Sequence, residues 1–197
     1  MARVSREQAE KNRETIEQVS SRLFRERGLN GVSVADLMAD AGLTHGGFYG
    51  HFSSKDALAA QACRRAFEEA SRRWTRRIGR AGGERQAMLA NIVEPYLTPA
   101  HRNHPGDGCA AAALAGDVAR EPADKPVRQA YIQGIKTLAD LLMQAAPQDD
   151  AGEKRDTALA QMATMAGAIM LSRATAGDPL SDEILAAVRR QLLGDES

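Results

Sequence analysis

The chain has 197 residues, 43% hydrophobic and 4% aromatic, with 26 basic residues against 26 acidic ones and a formal net charge of zero. This length and apolar share support one globular unit or two small ones, and the balanced charge excludes a molecule held on nucleic acid by overall basicity alone. Two cysteines, Cys63 and Cys109, are too few for a disulfide framework or a four-thiolate zinc site and read as free thiols.

Alanine, leucine, arginine, glutamine and glutamate dominate, and β-branched residues seldom alternate with polar ones, so the expected fold class is all-α. The opening stretch Met1–Gln18 is polar and lacks the apolar core of a signal peptide, and no run of 18 or more consecutive apolar residues occurs. A cytoplasmic protein without a membrane partner is the expectation. From Arg6 to Arg27, Ile16, Val19, Leu23 and Phe24 recur at helical spacing and Gly28 ends the segment. Ser33 stands three residues before Asp36, a capping box, and Val34, Leu37, Met38 and Ala41 continue a short second helix that stops at Gly42. Thr44 is placed to cap a third helix after that glycine turn.

Ser53 with Asp56 reads as the start of a long fourth helix, Lys55 to about Arg80, with Leu58, Ala62, Ala66, Phe67, Ala70, Trp74 and Ile78 on one stripe. The glycines of Gly79–Arg85 mark a flexible junction and a boundary near it. Further helices are expected at 84–98, kinked by Pro95, and at 108–120, 124–146, 151–176 and 181–193. Asp150 with Glu153 and then Ser181 supply the last two starts, and Thr98–Gly108 reads as a loop by its proline and glycine content. No internal repeat or low-complexity segment interrupts this order.

The stretch between Gly42 and Leu58 poses a question, because Gly46, Gly47 and Gly50 sit in the expected third helix and each costs about 1 kcal/mol there relative to alanine. A capped helix, a glycine turn and a short helix form the arrangement whose second member enters a DNA major groove. Missing side chains then let the backbone approach base edges and phosphates. Phe48 and Phe52, four residues apart, are expected to face inward while Tyr49 points outward.

The run Leu23–Leu58, with its glycine after the first helix, Ser33, Thr44, the Phe48-Tyr49 pair, His51-Phe52 and Lys55, resembles the TetR family of transcriptional regulators. The resemblance implies a helix-turn-helix DNA-binding domain over 1–55 and a C-terminal helical ligand-binding and dimerisation domain over 56–197, linked by the long fourth helix. It implies no catalysis, no cofactor and no metal, and as partners a double-stranded palindromic operator, a second copy in a homodimer, and a small-molecule inducer that relieves repression. Carried over position by position, Thr44 falls at the start of the reading helix, His45, Gly46 and Gly47 match base-reading positions, Tyr49, His51 and Lys55 match phosphate contacts, and Ser33 matches a backbone contact. Gly47 and Gly50 leave His45 as nearly the only long side chain able to read a base, which shifts specificity toward DNA shape or toward Arg3 and Arg6 in a minor groove. An inducer cavity among the Ala- and Met-rich helices is implied as well, with Tyr96, Cys109, Tyr131 and Met143 as lining residues, each of which serves equally as simple core.

Other constellations have competing readings. Between Arg64 and Arg85, eight arginines stand against three glutamates, a footprint toward DNA flanks or a solvated face paired with Glu68 and Glu69. His101, His104, Asp107 and Cys109 crowd one segment, but His-x-x-His outside a helix is a weak metal motif and a solvated loop is the expectation. Cys109 follows Asp107-Gly108 at a helix start, where thiols gain reactivity; a small buried packing residue is the alternative to an electrophile sensor. An enzyme built on these groups lacks a base beside a nucleophile, and a regulator answering to a partner protein would need an exposed apolar patch. Small residues Ala163, Ala166, Gly167 and Ala174 suit a four-helix dimer contact made by the last two helices.

Overall fold

The computed structural model describes residues 5–194, and every regular element within them is helical. The elements are α1 (Arg6–Arg27), α2 (Val34–Asp40), α3 (Lys55–Gly79), α4 (Arg85–Tyr96), α5 (Pro99–Asn103), α6 (Ala110–Arg120), α7 (Pro126–Leu142), α8 (Ala151–Ala174) and α9 (Leu180–Leu193). Short 3₁₀ turns occupy His45–Gly50, Pro105–Asp107 and Met143–Ala145. No helix among the described residues is long and apolar enough to cross a membrane.

The long α3 is the common wall. It packs on α1, α4, α6 and α7, and its buried stripe of Leu58, Ala62, Ala66, Phe67, Ala70, Trp74 and Ile78 is the one its periodicity requires. Gly134 of α7 lies so close to the Phe67 ring that a Cβ there would strike it, which explains how two long helices approach closely. Gly82 and Gly83, both at positive φ, turn the chain so that α4 folds back along α3. The α8–α9 pair closes the far side, with Met162, Met165, Ile169 and Leu185 buried.

Four expectations need correction. The third helix is a 3₁₀ turn, and Thr44 stands before it without a side-chain cap bond; three glycines in six residues offer too little helix propensity to hold α geometry. Ser54 caps α3, its hydroxyl accepting from the Ala57 amide at 3.0 Å, and neighbouring Ser53 is exposed. The expected loop at 98–108 contains α5 and a 3₁₀ turn. Thr98 caps α5 and Pro99 fills its first position, a start signal hidden by the proline and glycine count. Ser181 does not cap α9: it is buried, its hydroxyl donating to the Ser172 carbonyl at 2.7 Å, while Asp178 receives the Leu180 amide at 2.9 Å. The capping boxes and caps expected at Ser33 and Asp150 are present.

Candidate nucleic-acid interface and cavity

The N-terminal face is built on a rigid turn. Ser33 and Asp36 exchange side-chain and backbone bonds at the start of α2, which holds the Asp36 carboxyl below its usual range through the Ser33 hydroxyl and amide. At the other end Leu43 donates to the Met38 carbonyl and Gly42 to that of Ala39, a Schellman closure that needs the φ of +68° found at Gly42. Phe48 then plugs the core at 0% exposure, Phe52 follows at 5%, and the two rings lie 5.9 Å apart.

Arg13 of α1 fastens the end of this turn. Its guanidinium donates to the His51 carbonyl at 2.6 Å and lies 4.5 Å above the Phe52 ring. Its spacing to Glu17 looks like one more surface ion pair, so sequence reasoning missed it. Lys55 opens α3 with its ammonium 6.0 Å from the Phe24 ring, which aligns the side chain along the same face. Thr44, His45, Gly46 and Tyr49 are exposed, Tyr49 at 69%, while Gly47, His51 and Lys55 are half-buried.

The three glycines now have a clear status. None of Gly46, Gly47 and Gly50 has a positive φ. A Cβ at Gly46 or Gly50 would meet nothing within 4 Å, and one at Gly47 would make only ordinary contacts at 3.7 Å with Met38 and Thr44. Neither backbone conformation nor internal packing therefore calls for glycine at these positions.

A second feature lies behind this face. A cavity of about 260 Å³, open to solvent on one side, is lined by Ala70, Arg73, Trp74 and Arg77 of α3, Pro95 and Tyr96 of α4, and the 98–109 segment. Of the expected lining residues, Tyr96 and Cys109 meet here. Tyr131 does not: its hydroxyl donates to the Ala111 carbonyl at 2.7 Å and its ring stacks edge-on against Phe67. Met143 lies in the Met143–Ala145 turn against the core and outside this lining. A larger open groove of about 600 Å³ runs between α3 and α7.

The 98–109 segment is not a solvated loop, because Gly106, Gly108 and Cys109 are buried. His101 organises it: Nδ1 lies 2.7 Å from the Tyr96 carbonyl, and Nε2 lies 2.9 Å from the Cys109 amide that donates to it. A carbonyl only accepts, so Nδ1 carries the proton and the ring is neutral. Burial, with Arg173, Arg73 and Arg77 adding to it, pushes the imidazole down to about 4. With both nitrogens committed to backbone, His101 is not a metal ligand or a base, and no cluster of three metal-ligating side chains occurs among the described residues. Cys63 is buried on α3, and burial pushes its thiol up to about 12.

The cavity segment grips α1 directly. Arg25, 6% exposed, donates to the Gly108 carbonyl at 2.9 Å and pairs with Glu69 of α3 at 3.7 Å. A Cβ at Gly106 would strike the Glu26 carboxylate and the Arg22 side chain. Asp117 of α6 accepts from the Leu29 amide at 2.8 Å, just past the end of α1. On α8, exposed Leu159, Ala163, Met170 and Ala174, with half-buried Ala166 and Gly167, follow one helical face, and Leu171 and Leu180 stand exposed beside it.

Comparison with known proteins places this geometry. Residues 17–62 match the model of bacterial regulatory proteins, tetR family. The chain is similar to the HTH-type transcriptional regulator AcrR of Shigella flexneri, 34% identical over 61 residues, 31% of this chain and 28% of that one. It is also similar to the HTH-type transcriptional repressor DhaR of Mycobacterium sp. (strain GP1), 35% identical over 60 residues, 30% of each. These matches span less than a third of either relative. A TetR-family transcriptional regulator from Agrobacterium tumefaciens has the same fold, with a TM-score of 0.78 at 21% identity over 94% of this chain and 97% of that one.

Proposed function

We propose that this chain, whose residues 17–62 match the model of bacterial regulatory proteins, tetR family, is a homodimeric transcriptional repressor released from a palindromic operator by a small-molecule inducer. Residues 1–55 form the DNA-reading head, and residues 56–197 form the ligand-binding and dimerisation body.

The observation that carries the reading is the open space in front of Gly46 and Gly50, beside an outward Tyr49 on a turn anchored from behind by Phe48, Phe52 and Arg13. A bare, braced backbone suits close approach to a duplex. Ser33, Tyr49, His51 and Lys55 serve as phosphate contacts, and the Thr44 hydroxyl, with no cap bond of its own, is free to join them. His45 with the backbone of Gly46 and Gly47 meets base edges. Among the described residues Arg6 stands at the start of α1, where an N-terminal arm would approach a minor groove; Arg3 lies outside the described residues.

The exposed small and apolar face of α8, continued by Leu180 of α9, supports a homodimer in which a four-helix contact would bury it. Two heads about 34–36 Å apart would meet successive major grooves. The inducer acts from the cavity: its wall segment is bonded to α1 through Arg25 and pressed on Glu26, so an occupant that shifts this segment re-aims the head.

Selection of bound fragments from a random duplex library, followed by titration in rising salt, tests the reading. A two-fold symmetric site with affinity falling steeply in salt, bound by a dimer in light scattering, is expected. A strictly monomeric protein with no salt-sensitive affinity for any duplex overturns it.

A further inference from the structure

The wall of the 260 Å³ cavity is unevenly charged. Arg73 and Arg77 face it from one side of α3, and among the described residues neither has a carboxylate within 4.0 Å. Both are half-buried, so water only partly solvates them. Arg73 reaches the Asp107 carbonyl at 3.5 Å, a long and weak contact. Asp107 is the one carboxylate in the lining, and His101 is neutral.

The remaining wall is flat and apolar. Trp74 and Tyr96 meet edge-on with ring centroids 6.2 Å apart, and Ala70 and Pro95 complete it. Tyr96 is 3% exposed, and its hydroxyl is sealed from the cavity beside the Cys109 thiol, so its ring and not its hydroxyl forms the wall. Two unpaired guanidinium groups and aromatic walls thus converge on one small space.

We propose that this cavity binds a small aromatic carboxylate, its carboxylate held by Arg77 and Arg73 and its ring lying against Trp74 and Tyr96. The proposal rests on the inducer reading above and names the ligand class for that site. A guanidinium fork matches a carboxylate in two-point geometry, and a cavity of about 260 Å³ has room for a one-ring acid. A neutral carboxamide of the same shape keeps the stacking and loses the charge-assisted bonds.

The test measures calorimetric and thermal-shift binding of benzoate, salicylate, 4-hydroxybenzoate and phenylacetate to the full chain, each against its own carboxamide. At least one carboxylate is expected to bind at least about tenfold more tightly than its amide, with Arg77→Gln removing that preference and Arg77→Lys retaining part of it. Circular dichroism and the ligand-free melting temperature establish that the variants are folded; if Arg77→Gln fails to fold, Arg73→Gln carries the same comparison. Equal binding of acid and amide, no binding by any of the four acids, or an acid preference that survives Arg77→Gln in folded protein overturns the proposal. Anisotropy of a selected duplex separates the two readings. Arginine-dependent carboxylate binding that leaves the duplex bound sinks the inducer role and keeps the ligand class, whereas release by a neutral compound does the reverse.

Discussion

Arg25 on the first helix donates to the carbonyl of Gly108, 2.9 Å away and 83 residues later, between two residues that wall the cavity. This bond makes the first helix and the cavity neighbours in one packed structure. Replacing Arg25 by alanine leaves the Gly108 carbonyl without its donor and Glu69 with Arg65 as its remaining partner. Urea unfolding is expected to show a loss of about 2–4 kcal/mol. A loss below about 0.5 kcal/mol, the size of an ordinary surface change, would mean that the contact does not join the two parts.

Gly46→Ala and Gly47→Ala should separate folding from binding. The added methyl groups meet open space or ordinary contacts, and neither position has a left-handed backbone. Stability should hold or rise by up to about 1 kcal/mol, because alanine restricts the unfolded chain. Affinity for a selected duplex should nevertheless drop at least about tenfold, the equivalent of about 1.4 kcal/mol of lost contact. Alanine variants that bind DNA as well as the parent would remove the reason given for these glycines.

Lys55 and His45 should fail in different ways. Lys55→Ala is expected to weaken binding to all duplexes alike and to lower the salt slope by about 1. His45→Ala is expected to change which bases are preferred while leaving that slope in place. Salt titrations on two unrelated fragments distinguish the outcomes, and unchanged binding by both variants would show that the contact surface is elsewhere.

His101 sets a pH window. Its folded value of about 4 lies below the ordinary 6.5, with burial the main cause. The unfolded chain therefore takes up the proton first, so stability from the neutral ring is complete above about pH 6.5 and is lost as pH falls toward 4. The lost amount is roughly 2–3 kcal/mol at the low end. Urea midpoints measured from pH 7 to 4.5 should fall more steeply in the parent than in His101→Gln, and parallel slopes would contradict the neutral assignment.

Much of this molecule is legible in its residue order. Stripe periodicity predicts α1, α3 and α7, the Asp150 cap marks the start of α8, and Ser33 with Asp36 and Gly42 marks the ends of α2, because these signals depend on neighbours within a few residues. The inward Phe48 and Phe52 and the outward Tyr49 follow from the same local spacing. Where the local signal is doubled or diluted, it misleads: adjacent serines at 53 and 54 compete for one cap, and glycines hide a 3₁₀ turn.

Sequence by itself determined the helical class, the Gly42 turn that leads into Gly46 to Gly50, and the match of residues 17–62 to the tetR-family model, since all of these are short-range patterns of side-chain type. Only the tertiary structure decided that His101 is a neutral structural ring and that Tyr96 and Cys109 share a cavity which Tyr131 and Met143 do not line. It alone placed Arg73 and Arg77 beside that cavity, and it alone bonded Arg25 to the cavity wall. Those facts depend on which residues, tens of positions apart, are brought within a few ångströms, and burial and hydrogen bonding are then set by neighbours that residue order does not display.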